Sequence, residues 1–314
     1  MKQVVLYFPG QGAQQLGMLA DLAEQYPVIK ETFDQASRAI DQDLWSLVQN
    51  GPAEELNLTY NTQPILVTAS AAIWNVIQQE IGDDINVIAA AGHSVGEYSA
   101  LYAAGILSLQ DAVRLVKKRG ELMDTAVPAG EGGMAAILGL DRDQIQKVCT
   151  DASSAGVVEP ANFNAPGQIV IAGTAAGIKQ ACITAKEAGA KRALPLQVSG
   201  PFHSSLMRQA AEPFVEALDN VEWSEAKFDV YHNANNAISS VADMKLRLVE
   251  QLYSPVNWIG AVEVSSPGAD LAIEVGPGKV ISGLNKRINK SLATLATGDC
   301  ANFEKLLHAI KGEE

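Results

Sequence analysis

The segment Gly92-His93-Ser94-Val95-Gly96-Glu97, entered from the apolar run Ile85 to Ala89, constrains this chain more than any other stretch. An apolar strand feeding Gly-x-Ser-x-Gly and then a helix is the nucleophile-elbow arrangement. The turn is tight enough to force the serine into a strained backbone conformation, and side chains at the flanking glycines would collide. It holds a hydroxyl above the sheet edge at a helix N-terminus, where backbone N–H groups and the helix dipole favour a developing oxyanion. Taken alone the pattern is weak, because a serine in this position more often simply caps a helix.

Composition narrows the field. At 314 residues, 47% apolar and 19% charged, the chain reads as a soluble globular protein of one large domain or two moderate ones. A net charge of −13 makes nucleic acid a poor partner. Cys149, Cys182 and Cys300 are odd in number and lack C-x-x-C spacing, which argues against a disulfide framework or zinc site and suits a reducing cytoplasm. His93, His203, His232 and His308 are too dispersed to suggest a metal cluster. The opening residues have no signal-peptide pattern. No stretch approaches the ~18 apolar residues of a membrane span, and Ile65 to Ile77 is interrupted by Thr68, Ser70 and Asn75.

Taken in order, residues 3–8 read as a buried strand ending in the turn Pro9-Gly10-Gln11-Gly12. Pro27 opens an amphipathic helix, and Thr62 is expected to cap a long helix with Pro64 in its first turn. From Pro128 to Gly133 the punctuation is dense. The elements that follow run strand 134–139, helix 141–152, strand 157–163, strand 168–172, helix 175–188 and strand 191–198, the βαββαβ order of a ferredoxin-like module. Beyond Pro201 strands and helices alternate again, with a helix expected directly after His203. The expectation is an α/β protein. Residues 1–128 and 199–314 form a hydrolase-like large subdomain with a mostly parallel sheet, residues 129–198 form an inserted ferredoxin-like small subdomain, and the working site lies in the cleft between them.

Five motifs now stand in one order: Phe8-Pro9-Gly10-Gln11-Gly12, Thr62-Gln63-Pro64, the elbow, Asn162-Phe163-Asn164-Ala165-Pro166-Gly167-Gln168 and Glu274-Val275-Gly276-Pro277-Gly278. This series resembles the malonyl-CoA:acyl-carrier-protein transacylases, the stand-alone acyltransferases of bacterial type II fatty acid synthesis, over most of the chain. The resemblance implies transfer of a malonyl group from malonyl-CoA to the phosphopantetheine thiol of acyl carrier protein, by a ping-pong route through a malonyl-serine. It implies Ser94 as nucleophile and His203 as its base, in a dyad whose imidazole is oriented by the backbone carbonyl of Gln251. Backbone N–H groups of Gln11 and Val95 match the oxyanion hole, and Arg119 matches the arginine that grips the malonyl carboxylate. A planar guanidinium suits a carboxylate bidentately where lysine does not. Lys117 and Lys118 are read as solvated surface.

Gln63 and Asn162 match positions lining the cleft. Phe202 stands where several bacterial members carry a small residue; its bulk would crowd a 2-methyl group and favour malonyl, or it is plain packing. His93 is read as an elbow support, and His232 and His308 as structural or exposed. No metal or bound cofactor is implied; malonyl-CoA is a substrate, and phosphopantetheine arrives on the partner. Carrier protein is itself acidic, so a local basic patch is needed, for which Lys286, Arg287 and Lys290 are the candidates. The expected enzyme is a cytoplasmic monomer. A polyketide-pathway acyltransferase remains an alternative, as does a thioesterase or esterase using the same elbow.

Overall fold

The computed structural model describes residues 1–312. Its centre is β1 (Lys2–Phe8), whose residues Val4 to Phe8 are completely buried. A strand apolar on both faces belongs inside a parallel sheet covered by helices on each side. β1 pairs in parallel with β2 (Ile85–Gly92) on one edge and with β8 (Leu271–Glu274) on the other. A second sheet is antiparallel and comprises β3 (Gly132–Leu138), β4 (Val158–Ala165), β5 (Gln168–Thr174) and β6 (Arg192–Pro195), ordered β4-β5-β3-β6. Adding β7 (Asp229–Tyr231) and β9 (Thr294–Ala296) completes the first sheet as five parallel strands in the order β7-β2-β1-β8-β9.

Because successive connections leave β1 and β8 in opposite directions, the chain reverses beside β1, and a crevice opens at the carboxyl ends of the strands. The loops after β1, β2 and β8 crowd together there. A Cβ on Gly10 would lie 2.4 Å from the carbonyl oxygen of His93, and one on Gly276 would lie 2.4 Å from Pro9. The antiparallel sheet has its own core, with Ile137, Ile145, Ile171 and Ala181 among its fully buried members. Its β4 edge is stitched to the parallel-sheet region by Val256, which bonds Ala161 at 2.9 Å and Phe163 at 2.8 Å through the backbone.

Several local expectations are corrected. The long helix spans Thr59–Ile81, so it starts three residues before Thr62 and contains Pro64 in its second turn. Thr62 is no cap: its hydroxyl donates to the Leu56 carbonyl at 2.6 Å. That helix is buried on nearly every side, which explains an apolar run without amphipathic period. Among the described residues no helix is long and apolar enough to cross a membrane. β6 ends at Pro195, short of residue 198, although the Leu196 N–H still donates to the Met134 carbonyl at 2.9 Å. After His203 the chain first makes a 3-10 segment, Ser205–Ala210, and only then the helix Ala211–Asp219.

Candidate active site

Ser94 sits between β2 and the helix Gly96–Ala103 with φ +53°, a left-handed backbone that costs a non-glycine residue ~1–3 kcal/mol. The flanking glycines make this turn possible. A Cβ at Gly92 would be 1.9 Å from the Gly96 carbonyl carbon, and one at Gly96 would be 2.3 Å from the Phe8 carbonyl oxygen. Two side chains hold the strained peptide. Asn233 Oδ1 accepts from Ser94 N–H at 2.7 Å, and Gln251 Nε2 donates to the Ser94 carbonyl at 3.0 Å.

His203 lies 2.7 Å from Ser94, through Nε2 to Oγ. It sits on its own left-handed turn, φ +60°, tied to the end of the helix Val241–Tyr253. Its Nδ1–H donates to the Gln251 carbonyl at 2.8 Å and its backbone N–H to the Leu252 carbonyl at 3.2 Å. Last-turn carbonyls have no partner within their helix and carry the negative end of its dipole. One of them therefore fixes the tautomer as an acid would, leaving Nε2 free to accept the Ser94 proton. Burial first, and then the charge of Arg119, pull the imidazole from 6.5 down to about 3, so it is neutral at physiological pH with Nε2 unprotonated.

Arg119 comes from the buried face of the helix Leu109–Thr125 and is only 1% exposed. Its Nη1 donates to Gln63 Oε1 at 2.8 Å, and its Nη2 to Gln251 Oε1 at 2.8 Å and to Ser94 Oγ at 3.2 Å. Its Nε has no partner among the described residues. Burial lowers its pKa, opposed by Tyr98 and Glu97, yet a guanidinium keeps its proton at neutral pH. No carboxylate of the described residues forms an ion pair with it. A buried cation beside a nucleophilic hydroxyl is thus held by two neutral amides.

The backbone N–H groups of Gln11 and Val95 have no acceptor among the described residues. Ser94 N–H is occupied by Asn233, which leaves those two donors as the main-chain candidates beside the elbow. The structure therefore gathers Ser94, His203, Arg119, Gln63 and Gln251 into one bonded cluster, with Gln11 on the adjoining loop. Asn162 is buried on β4 where that strand bridges to Val256, and it makes no side-chain bond to this cluster. Phe202 is 5% exposed and belongs to the main apolar core, with Gly200 against its ring. His93 Nε2 bonds Asn164 Oδ1 at 2.8 Å, joining the elbow to β4. Lys118 is exposed, but Lys117 is half-buried and bonds Gln42 at 3.0 Å, so it is not a free surface cation. His308 lies in the last turn of the terminal helix.

Three residues escape sequence reasoning. Glu97 is wholly buried beneath the elbow and accepts from His232 Nδ1 at 2.7 Å, Asn233 N–H at 3.0 Å and Gln251 Nε2 at 2.6 Å. A carboxylate in the first turn of an otherwise apolar helix is the available signal for Glu97; Asn233 and the Gln251 side chain have none. Among the described residues no cluster of three or more His, Cys, Asp or Glu is placed to hold a metal.

Fold and site together define a serine acyltransferase architecture, and the acyl transferase domain model matches residues 5–277. A malonyl CoA-acyl carrier protein transacylase of Haemophilus influenzae is 49% identical over 305 residues, covering 96% of this chain and 97% of the relative. The crystal structure of an acyl carrier protein S-malonyltransferase from Vibrio cholerae superposes with a TM-score of 0.92 at 48% identity, covering 98% of this chain and all of that one. A malonyl-transacylase in complex with a type II PKS acyl-carrier protein superposes at 0.94 with 45% identity, covering 99% of this chain and 100% of its own. The chain belongs to the malonyl CoA-acyl carrier protein transacylase family.

Proposed function

We propose that this protein moves malonyl from malonyl-CoA to the phosphopantetheine thiol of acyl carrier protein in fatty acid biosynthesis. One observation carries the reading: the buried guanidinium of Arg119, lacking an ion-pair partner, lies 3.2 Å from the Ser94 hydroxyl. A thioester whose acyl group ends in a carboxylate brings the missing charge to that cation while its carbonyl reaches Ser94. Leaving a buried charge unpaired costs ~3–5 kcal/mol, so acetyl-CoA is disfavoured.

Ser94 Oγ attacks the thioester carbon while its proton passes to His203 Nε2. The oxyanion lies against the N–H groups of Gln11 and Val95, and collapse expels CoA as thiol with the proton from His203. The carrier's thiol then gives a proton to His203 and attacks the malonyl ester, regenerating Ser94. The route needs no metal or bound cofactor. Gln63 steadies Arg119, Asn162 lines the cleft wall, and Phe202, the residue before His203, packs into the apolar core.

For the carrier we propose the exposed cations Lys286, Arg287 and Lys290, with Lys286 and Lys290 flanking a depression of ≈ 530 Å³ shared with Lys279. They offer an acidic protein a local positive surface on a chain of net charge −13. We read the enzyme as a cytoplasmic monomer, since one chain carries every group the reaction uses and its three cysteines are free thiols. A polyketide carrier would be served by the same chemistry, a second reading favoured by the similarity to the transacylase solved with a type II PKS carrier.

The test is incubation with malonyl-CoA without acceptor, followed by peptide mass spectrometry. A stable malonyl adduct on the Ser94 peptide, absent in Ser94→Ala and much weaker from acetyl-CoA, is expected. Rapid release of free malonate with no adduct would instead mark a thioesterase.

A further inference from the structure

Arg119 is held on one side by Gln63 and on the other by Gln251, and only the second support continues to a charge. Gln251 Oε1 accepts from Arg119 Nη2 at 2.8 Å, while its Nε2 donates to Glu97 Oε2 at 2.6 Å. Glu97, Gln251 and Arg119 are each 1% exposed or less. Carboxylate, amide and guanidinium therefore form a dry line in which each group polarises the next. An amide can bridge such a pair in one orientation only, because a carboxylate only accepts and a guanidinium only donates.

Glu97 is in turn immobilised by His232 Nδ1 and by the backbone N–H of Asn233. The side chain of Gln63, by contrast, ends on the weak acceptor Met123 Sδ at 3.7 Å. We infer that Glu97 is a positioning residue for Arg119: acting through the Gln251 side chain, it sets the guanidinium where it meets the carboxylate of the acyl group. It touches no reacting atom; through Asn233 and Gln251 it also steadies the Ser94 peptide, and its larger effect falls on selection of the acyl group. The inference rests on the malonyl-transfer reading above.

Glu97→Gln keeps the volume while removing the charge and one acceptor. The readout is the rate of Ser94 acylation from malonyl-CoA and, separately, from acetyl-CoA. Malonyl acylation should fall about tenfold or more and acetyl acylation by less than about threefold, so that the ratio collapses. Gln251→Leu leaves the backbone carbonyl on His203 and cuts the same line at its middle, but it also removes the Nε2 bond to the Ser94 carbonyl, so both acylations should fall and malonyl acylation should fall further. It should collapse the ratio too, and adding Glu97→Gln to it should lower the ratio no further. Should Glu97→Gln fail to fold, Glu97→Asp, which retains the charge but draws it back, should also lose part of the ratio. Equal losses for both thioesters, an unchanged ratio, or additive losses in the double variant would overturn the inference. A wild-type protein with no malonyl adduct on Ser94 would remove the functional reading itself, and this inference with it.

Discussion

Ser94 Oγ and His203 Nε2 stand 2.7 Å apart across 109 residues of chain, and both residues occupy the left-handed region, at φ +53° and +60°. Backbone strain at two non-glycine residues in hydrogen-bond contact is held only because the surroundings over-determine it. Asn233 and Gln251 grip the Ser94 peptide, and the end of the helix Val241–Tyr253 grips the imidazole. The dyad needs no third acid because a helix-terminal carbonyl occupies that role.

If the pair works as nucleophile and base, Ser94→Ala abolishes the acyl-enzyme. His203→Ala slows its formation by ~10³-fold or more, with circular dichroism unchanged. Single-turnover mass spectrometry reads both.

Arg119→Ala should reduce malonyl acylation by about 10²–10³-fold and leave acetyl acylation nearly unaltered, following the cost of unpaired charge. An equal fall with both thioesters would mean that Arg119 serves the elbow rather than the acyl group.

The pH profile follows from the depressed imidazole. The neutral form is the base, and its folded value of about 3 lies far below the unfolded 6.5. Between pH 7.5 and 5.5 the folded protein therefore takes up almost no proton at His203. kcat/KM for malonyl-CoA should stay nearly flat there, where an unperturbed histidine would lose about tenfold. Stability moves the other way: below pH 6.5 the unfolded chain binds a proton that the fold refuses, so this residue destabilises the protein as pH falls toward 3. Removing the second cause, with Arg119→Gln, should shift the acid limb upward when acetyl-CoA is the donor.

Lys286→Glu and Lys290→Glu should raise the apparent KM for carrier protein and leave that for malonyl-CoA unchanged. Arg287 differs, because it donates to Gln168 Oε1 at 2.6 Å and to the Pro166 carbonyl at 2.5 Å, across to the antiparallel sheet. Arg287→Glu should also lower the melting temperature. Steady-state kinetics with both substrates varied, together with calorimetry, separates these effects.

At the elbow, Gly92→Ala should fail to fold or lose about 3 kcal/mol or more, since its methyl group would sit 1.9 Å from the Gly96 carbonyl carbon. Urea denaturation checks this; a stability within 0.5 kcal/mol of wild type, about the scatter of neutral substitutions, would refute the close approach.

Local signals carried far in this chain because they report backbone demands. Glycines at 92 and 96 mark an unavoidable close approach, and the continuous apolar run of β1 marks a strand buried on both faces. The alternation from Gly132 to Pro195 marks a separate antiparallel sheet, and the order of motifs marks the family. Where the signal was local but ambiguous it misled: Thr62-Gln63-Pro64 looks like a helix start, yet the helix begins at Thr59 because burial, rather than capping, holds its first turn.

The order of residues alone settles the α/β architecture, the elbow and the residue types that the chemistry requires. How these groups are held comes from their packing in three dimensions. The depressed pKa of His203, the unpaired guanidinium of Arg119 and the line from Glu97 through Gln251 depend on burial and on contacts between residues far apart in the chain. Dielectric environment and hydrogen-bond direction are properties of three-dimensional packing, and no pattern of neighbouring residues encodes them.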